Sequence, residues 1–432
     1  MTRYDDALPR FAALIRDVIG EPEMANHVFL RDAAGRLTFV MLAPLQDEAI
    51  AEIRRLAVEL APWVDLQTPL AAREDLFDSA LADEPEGFPE YIETTDFTGF
   101  VRVIERRIIG QDWMRSPLDP IPGLPPIVVF ASHKGGVGRS TALAVAAAAL
   151  SRAGHNLLVV DLDLESPGLG AMLLSEQPRF GTLDYFVESS LRDVDDRFLD
   201  DMVVASKLAE NGLIHVAPAV GSTSTTNPEN VLGKISRAYI ERLDGDGRTV
   251  SFLDQTRVLV TRLCSRHRYD AVFIDARAGL NEATAAAVLG LGAEILLFGV
   301  NTPQTFAGCR YLLGHLARFR PEASGEEDWR YRLRMVQAKA RGGNKGQADF
   351  RTEAFEMFAD TLYDLEEKIE QDAFNFDYDD ETAPHFAWPI RDDSNYAEFD
   401  PLAQGEQLGS DFYERTFGDF IKALSVKIGL RT

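Results

Sequence analysis

The chain opens on apolar residues at helical spacing. Phe11, Leu14, Ile15 and Val18 fall on one face, and Gly20 supplies a stop. Two apolar runs, Val28–Leu30 and Leu37–Leu42, are separated by RDAAGR and predict a hairpin. Ile50, Ile53, Leu56 and Leu60 predict a second amphipathic helix within Leu45–Ala61. Residues 1–115 therefore read as a small α+β module. The run SPLDPIPGLPP, Ser116–Pro126, places five prolines in eleven residues and reads as a stiff extended connector over 116–126. From 127 to 432, short apolar runs alternate with helical stretches. The expected strands are Ile127–Ala131, Leu157–Asp161, Leu213–Ala217, Ala271–Asp275, Glu294–Val300, Arg332–Ala338 and His385–Trp388. Such alternation predicts an α/β fold: a mostly parallel, doubly wound sheet with helices on both faces. Gly221–Gly247 is polar and turn-rich and reads as an insertion or long loop. Phe358–Glu381 is acidic and reads as a solvated helix and loop.

Composition narrows the function classes. The 432 residues include 44 basic and 69 acidic ones, a formal net charge of -25, and 46% are hydrophobic. That is a globular composition, and the acidic excess argues against nucleic acid as a partner, because coating phosphates takes clustered Lys and Arg. The cysteines, Cys264 and Cys309, are far apart, which excludes a zinc ribbon, a CxxC redox pair and a disulfide framework, and fits a reducing compartment. The N-terminus is acidic where a signal peptide needs a basic region, and the alanine-rich run Ala142–Leu150 is only nine residues long. A cytoplasmic location is expected.

The chemistry concentrates in IVVFASHKGGVGRSTALAVAAAAL. An apolar strand feeds a glycine-rich turn that opens a helix. Gly135, Gly136 and Gly138, with Val137 between them, let successive backbone N–H groups converge on phosphate oxygens, and the helix N-terminus adds its partial positive charge. Ser140 stands where a hydroxyl can ligate Mg²⁺, and Thr141 can reach a further phosphate. The expected ligands are thus ATP and Mg²⁺.

KGGVGRST resembles the deviant Walker A motif, KGGxGK[ST], of the ParA/MinD-type P-loop ATPases (the SIMIBI class). Together with RRIIGQDW, Arg106–Trp113, it is similar to the KGGVGR-variant group. The resemblance implies that Lys134 reaches across a dimer interface to the partner's nucleotide, and that Arg139 replaces the lysine that grips the phosphates of its own subunit. Arginine keeps the charge but is planar and bulkier, so nucleotide binding follows more directly than fast hydrolysis. LLVVDLDLESPGLG is similar to the family's switch I region. Asp163 would then lie near the attacking water and Mg²⁺, with Asp161 supporting it from the strand end. YDAVFIDARAGLN ends a strand in Asp275, as a Walker B motif does; Asp275 would hold Mg²⁺ through water, and Ala276–Gly279 would form switch II. Pro389 and Asp392, in HFAWPIRDDSNYAEFDPL, resemble the segment that flanks the nucleotide base.

These features imply an ATP-binding, ATP-hydrolysing, nucleotide-controlled homodimer that recruits a protein partner through residues 1–115. The alternative, kept open by Arg139, is a nucleotide-binding interaction module with little or no turnover. The variant group implies a place in a bacterial defence or stress system. A kinase-like role lacks the tyrosine-rich tail that would favour it. The terminal stripe Phe417, Phe420, Ile421, Leu424 and Ile428 admits a membrane-contacting helix, but packing of that helix on the protein's own sheet is the preferred reading.

Overall fold

The computed structural model describes residues 2–76, 88–321, 328–341, 343–364 and 373–431. They separate into two compact units, Met1–Met114 and Arg115–Thr432.

In the first unit, helix Tyr4–Ile19 ends at Gly20, and the expected hairpin forms from β1 (Val28–Arg31) and β2 (Leu37–Met41). The second helix is shorter than its apolar pattern, Asp47–Ala57, and tightens into a 3₁₀ turn over Val58–Leu60. Strands β3 (Leu70–Ala72), β4 (Phe88–Glu93) and β5 (Thr98–Glu105) complete a mixed sheet in the order β3-β2-β1-β5-β4. Phe11 and Ile15 of the first helix and Ile53 of the second meet Phe29, Phe39 and Val103 of the sheet in one core. Burying each such side chain stabilises the unit by about 1.5–3 kcal/mol.

The second unit is built on β6 (Ile127–Ser132), β7 (Asn156–Asp161), β8 (Val204–Ala205), β9 (Leu213–Ala217), β12 (Ala271–Asp275), β13 (Glu294–Gly299), β14 (Leu333–Ala340) and β15 (Trp388–Arg391). β10 (Arg242–Leu243) and β11 (Thr249–Val250) form a separate ribbon. The main sheet runs β15-β14-β13-β6-β12-β7-β9-β8, with only β8 antiparallel to its neighbour. Every residue of β6 and β12 is buried, as strands covered on both faces require. From β6 the chain crosses through helix Arg139–Arg152 to β7, leaving room between them for β12, while β13 lies on the other side. Such a divergence opens a crevice at the C-terminal ends of the strands. The alanines of helix Arg139–Arg152 are buried, so the helix packs close to the sheet.

Helix Ser410–Lys427 answers the question of the terminal stripe. Phe417, Phe420, Ile421 and Leu424 are buried in the core of this unit, and the Phe420 ring lies 5.9 Å from that of Phe298 and 6.4 Å from that of Phe130. The stripe is covered by the protein's own sheet. Among the described residues, no helix is long and apolar enough to cross a membrane.

Four segments differ from the pattern read along the chain. The proline-rich segment 116–126 begins as a strap on the second unit. Leu118 donates its N–H to Leu289 and accepts from Arg332 Nη1, at 2.7 and 3.0 Å, and Arg257 holds the Asp119 carbonyl. Gly292, at φ +59°, lies under this strap, and a Cβ there would sit 2.2 Å from the Pro120 nitrogen. Gly221–Gly247 is folded rather than a loop: helix Val231–Ala238 is anchored by Lys234 on Asp184 at 2.5 Å, and Tyr239 packs on Phe252. Its polarity hid an element fixed by charge more than by apolar area. Within Phe358–Glu381, Phe358, Tyr363 and Phe374 are buried, and Asp364 pairs with Arg330 at 2.7 Å; residues 365–372 lie outside the described residues. The last strand falls at Trp388–Arg391 instead of His385–Trp388. His385 is fully buried, bonded to Tyr363 Oη and the Tyr378 carbonyl instead of extending the strand.

Candidate functional site

The turn after β6 places the sequence-predicted phosphate loop in the crevice. Gly136 and Gly138 take φ of +73° and +90°, and an added Cβ on either would meet nothing within 4 Å. Backbone conformation, not crowding, therefore demands glycine there. Val137 is buried and pins the loop, Ser132 Oγ donates to the Lys134 carbonyl at 2.9 Å, and the Ala142 N–H closes the first helical turn on Gly138. Gly135 and Gly136 are exposed, Ser140 and Thr141 half-buried. The Lys134 side chain is exposed, and no described residue pairs with its ammonium.

Arg139 behaves differently. Its guanidinium is 8% exposed and turns inward beneath the loop. Nε donates to Asp275 Oδ1 at 2.5 Å, Nη2 to Asp163 Oδ2 at 3.2 Å and Nη1 to Ser132 Oγ at 3.2 Å. Ser140 Oγ donates to the other oxygen of Asp275 at 2.5 Å. The groups expected to meet phosphate and metal satisfy one another.

The aspartates come together because β7 and β12 are parallel neighbours with Asp161 opposite Asp275. Asp161 is fully buried and accepts backbone N–H groups from Asp163 at 3.0 Å and from Gly168 and Leu169 at 3.3 Å. Burial, then the like charge of Asp275, pushes its carboxyl up to about 8. Burial also raises Asp275, against the pull of Arg139. Asp163 Oδ1 accepts the Ser166 N–H at 3.2 Å, which leaves Oδ2 for the guanidinium. The loop after Asp275 is tied back to β6, with the Ala276 N–H on Phe130 and the Gly279 N–H on Ser132.

Among the described residues, no three His, Cys, Asp or Glu side chains are gathered to hold a metal ion by themselves. A hydroxyl and a carboxylate beside a phosphate loop suit Mg²⁺, which takes one or two protein oxygens and completes its shell with phosphate and water. Ser140 and Asp275 present one hydroxyl and one carboxylate there, in contact with each other.

The proposed base-flanking residues separate. Asp392 lines an open cavity of about 370 Å³ with Ala340, Arg341, Gly343, Gln347 and Arg391, and is paired with Arg341 at 2.5 Å. Pro389 lies within β15 opposite Gln337 and does not line it. Sequence reading missed Lys339, whose Nζ donates to the Gly136 carbonyl at 2.9 Å. It also missed the pairing of Glu165 with Arg277 at 2.7 Å. Lys339 adopts φ +50°, an uncommon conformation for a residue with a side chain.

Residues 128–291 match the CobQ/CobB/MinD/ParA nucleotide binding domain family. No curated protein matches the chain. Among solved structures, a ParA family ATPase from Chlorobium tepidum is similar with 18% identity and a TM-score of 0.44, over 68% of this chain and 98% of that one. The cell division ATPase MinD of Pyrococcus furiosus gives 18% and 0.42, over 70% and 100%. The septum site-determining protein MinD of Pyrococcus horikoshii, complexed with Mg-ADP, gives 22% and 0.32, and the likeness spans 44% of this chain and only 63% of that one.

Proposed function

Since residues 128–291 match the CobQ/CobB/MinD/ParA nucleotide binding domain, we propose that this chain binds ATP with Mg²⁺ in the crevice after β6 and hydrolyses it as a nucleotide-controlled homodimer. The observation that carries the reading is the closed set of Arg139, Ser140, Asp163 and Asp275 under the glycine loop. On binding, Arg139 and Ser140 would leave Asp275; the guanidinium would turn to phosphate, and Ser140, with Asp275 through water, would hold Mg²⁺, which would supply charge neutralisation at the phosphates. The loop N–H groups orient the chain of phosphates, and Asp163, freed from Arg139, positions the attacking water. Lys134, exposed and unpaired among the described residues, reaches the partner's nucleotide. The first unit recruits a protein partner, and the net charge of -25 disfavours bare DNA in that role.

Titration with ATP and Mg²⁺ under calorimetry, combined with phosphate release and sedimentation, tests this. Lys134→Ala is expected to weaken ATP-dependent dimerisation about 10-fold or more while changing ATP affinity less than about 3-fold. Equal loss of both removes the cross-subunit role. The buried position of Arg139 favours a second reading, a nucleotide-binding module with little turnover. Tight binding without phosphate release would select it.

A further inference from the structure

Two loops leave the crevice behind the aspartates that head them, and each carries a charged residue two places on: Glu165 beyond Asp163, and Arg277 beyond Asp275. Arg277 Nη1 donates to Glu165 Oε1 at 2.7 Å. From a third direction the Tyr239 hydroxyl donates to the same oxygen at 2.8 Å, at the end of helix Val231–Ala238. Burial first, and the Glu165 charge second, raise the Tyr239 phenol well above its ordinary range, so it stays a donor.

The surroundings show what this cluster joins. Each loop is fastened at its base: Leu162 donates its N–H to the Asp275 carbonyl at 3.0 Å, Gly279 to Ser132 at 2.9 Å, and Thr284 Oγ1 to the Arg277 carbonyl at 2.8 Å. Farther out, Glu165 and Arg277 link the two loops through their side chains. Its partners are 20% and 35% exposed, so it is better shielded than a surface ion pair, whose contribution is about 0–1 kcal/mol. A shielded carboxylate held by two donors resists losing either one, because the remaining charge is left underpaired.

We propose that Glu165 and Arg277 form a bridge that makes the two aspartate-bearing loops move as one body, and that Tyr239 couples helix Val231–Ala238 to that movement. Glu165 and Arg277 are then positioning residues. They set Asp163 and the loop after Asp275 in their reactive places together, and neither needs to touch the nucleotide. Tyr239 gives a binding event on the 222–250 segment a route to the reaction, and by linkage gives the nucleotide the same route back. This rests on the nucleotide-hydrolysis reading above.

The test uses the full chain as wild type, Glu165→Gln, Arg277→Ala, Tyr239→Phe and the charge-swapped double variant Glu165→Arg with Arg277→Glu. Three quantities are measured: affinity for a non-hydrolysable ATP analogue with Mg²⁺, phosphate release, and hydrogen exchange of residues 162–168 and 276–280. In wild type the saturating analogue should slow exchange in both segments by a similar factor. Each bridge variant should bind within about 3-fold of wild type, lose about 10-fold in turnover and, at saturation, protect the two segments by factors that differ about 10-fold; the swap should restore similar protection, and Tyr239→Phe should lose about 3-fold in turnover. Similar protection of both segments retained in Glu165→Gln and Arg277→Ala overturns the bridge. So does a loss in Arg277→Ala about 100-fold beyond that of Glu165→Gln, which would place Arg277 on the phosphates themselves. The exchange readout holds even where turnover is slow. Wild type that binds no analogue would sink the nucleotide reading instead.

Discussion

β7 and β12 lie side by side, point the same way and end in aspartates that face each other across the ladder, yet the two carboxylates are held in opposite fashion. Asp161 is bound by backbone: N–H groups of Asp163, Gly168 and Leu169 shape the chain around it. Asp275 is bound by side chains, Arg139 and Ser140, which can swing away. A carboxylate gripped by main chain fixes a loop, whereas one gripped by rotatable groups is available for exchange. On the proposed function the difference would separate an organiser from a participant, and it is invisible in two motifs that both read as apolar strand plus aspartate.

The sharpest way to break this contrast is to remove each acid. Asp161→Ala should unfold most easily, losing about 2–6 kcal/mol, because two buried donors, the N–H groups of Asp163 and Leu169, lose their acceptor at about 1–3 kcal/mol each; urea denaturation of the nucleotide-free protein reads this. Asp275→Asn should leave that stability within about 1 kcal/mol but abolish the response to ATP with Mg²⁺, which in wild type amounts to about 2.7 kcal/mol at a ligand concentration 100-fold above Kd. Equal destabilisation by both changes would erase the distinction.

A smaller effect probes the exchange itself. Lysine has one nitrogen where arginine has three, so Arg139→Lys should loosen the closed site. The nucleotide-free protein should lose about 1 kcal/mol, and affinity for ATP with Mg²⁺ should rise a few-fold, about 3 to 10. A fall in affinity would mean that the inward geometry of Arg139 is already the productive one.

The loop glycines and both aspartates were legible because each depends on a few consecutive residues and the strand beside them. The inward turn of Arg139, the Glu165–Arg277 pair and the Lys339 contact were not, because each joins residues more than twenty positions apart that only the sheet order brings together. Gly221–Gly247 misled for another reason: Lys234 on Asp184 and Tyr239 on Glu165 hold it in place of an apolar stripe. His385 misled by resembling the start of a strand while serving an aromatic cluster.

The smallest expected effect is acid sensitivity away from the aspartates. Burial lowers His27 in the first unit and His215 and His385 in the second below the ordinary 6.5. Each is neutral when folded and takes up a proton more readily unfolded, so its contribution is complete above about pH 6.5 and is lost as pH falls below it. The urea midpoint should be lower at about pH 5.5 than at about pH 7.5, and His385→Gln should reduce that difference. An unchanged slope would trace the acid response to other groups.

The guanidinium between Asp163 and Asp275 also bears on the order in which ligands arrive. A bare divalent cation entering there would have to evict a fixed positive charge and would bring no anion to receive it. A metal ion that travels with a triphosphate brings both the replacement for the guanidinium and its destination. On the proposed function, the crevice would then take up metal with the nucleotide more readily than free Mg²⁺ or Ca²⁺.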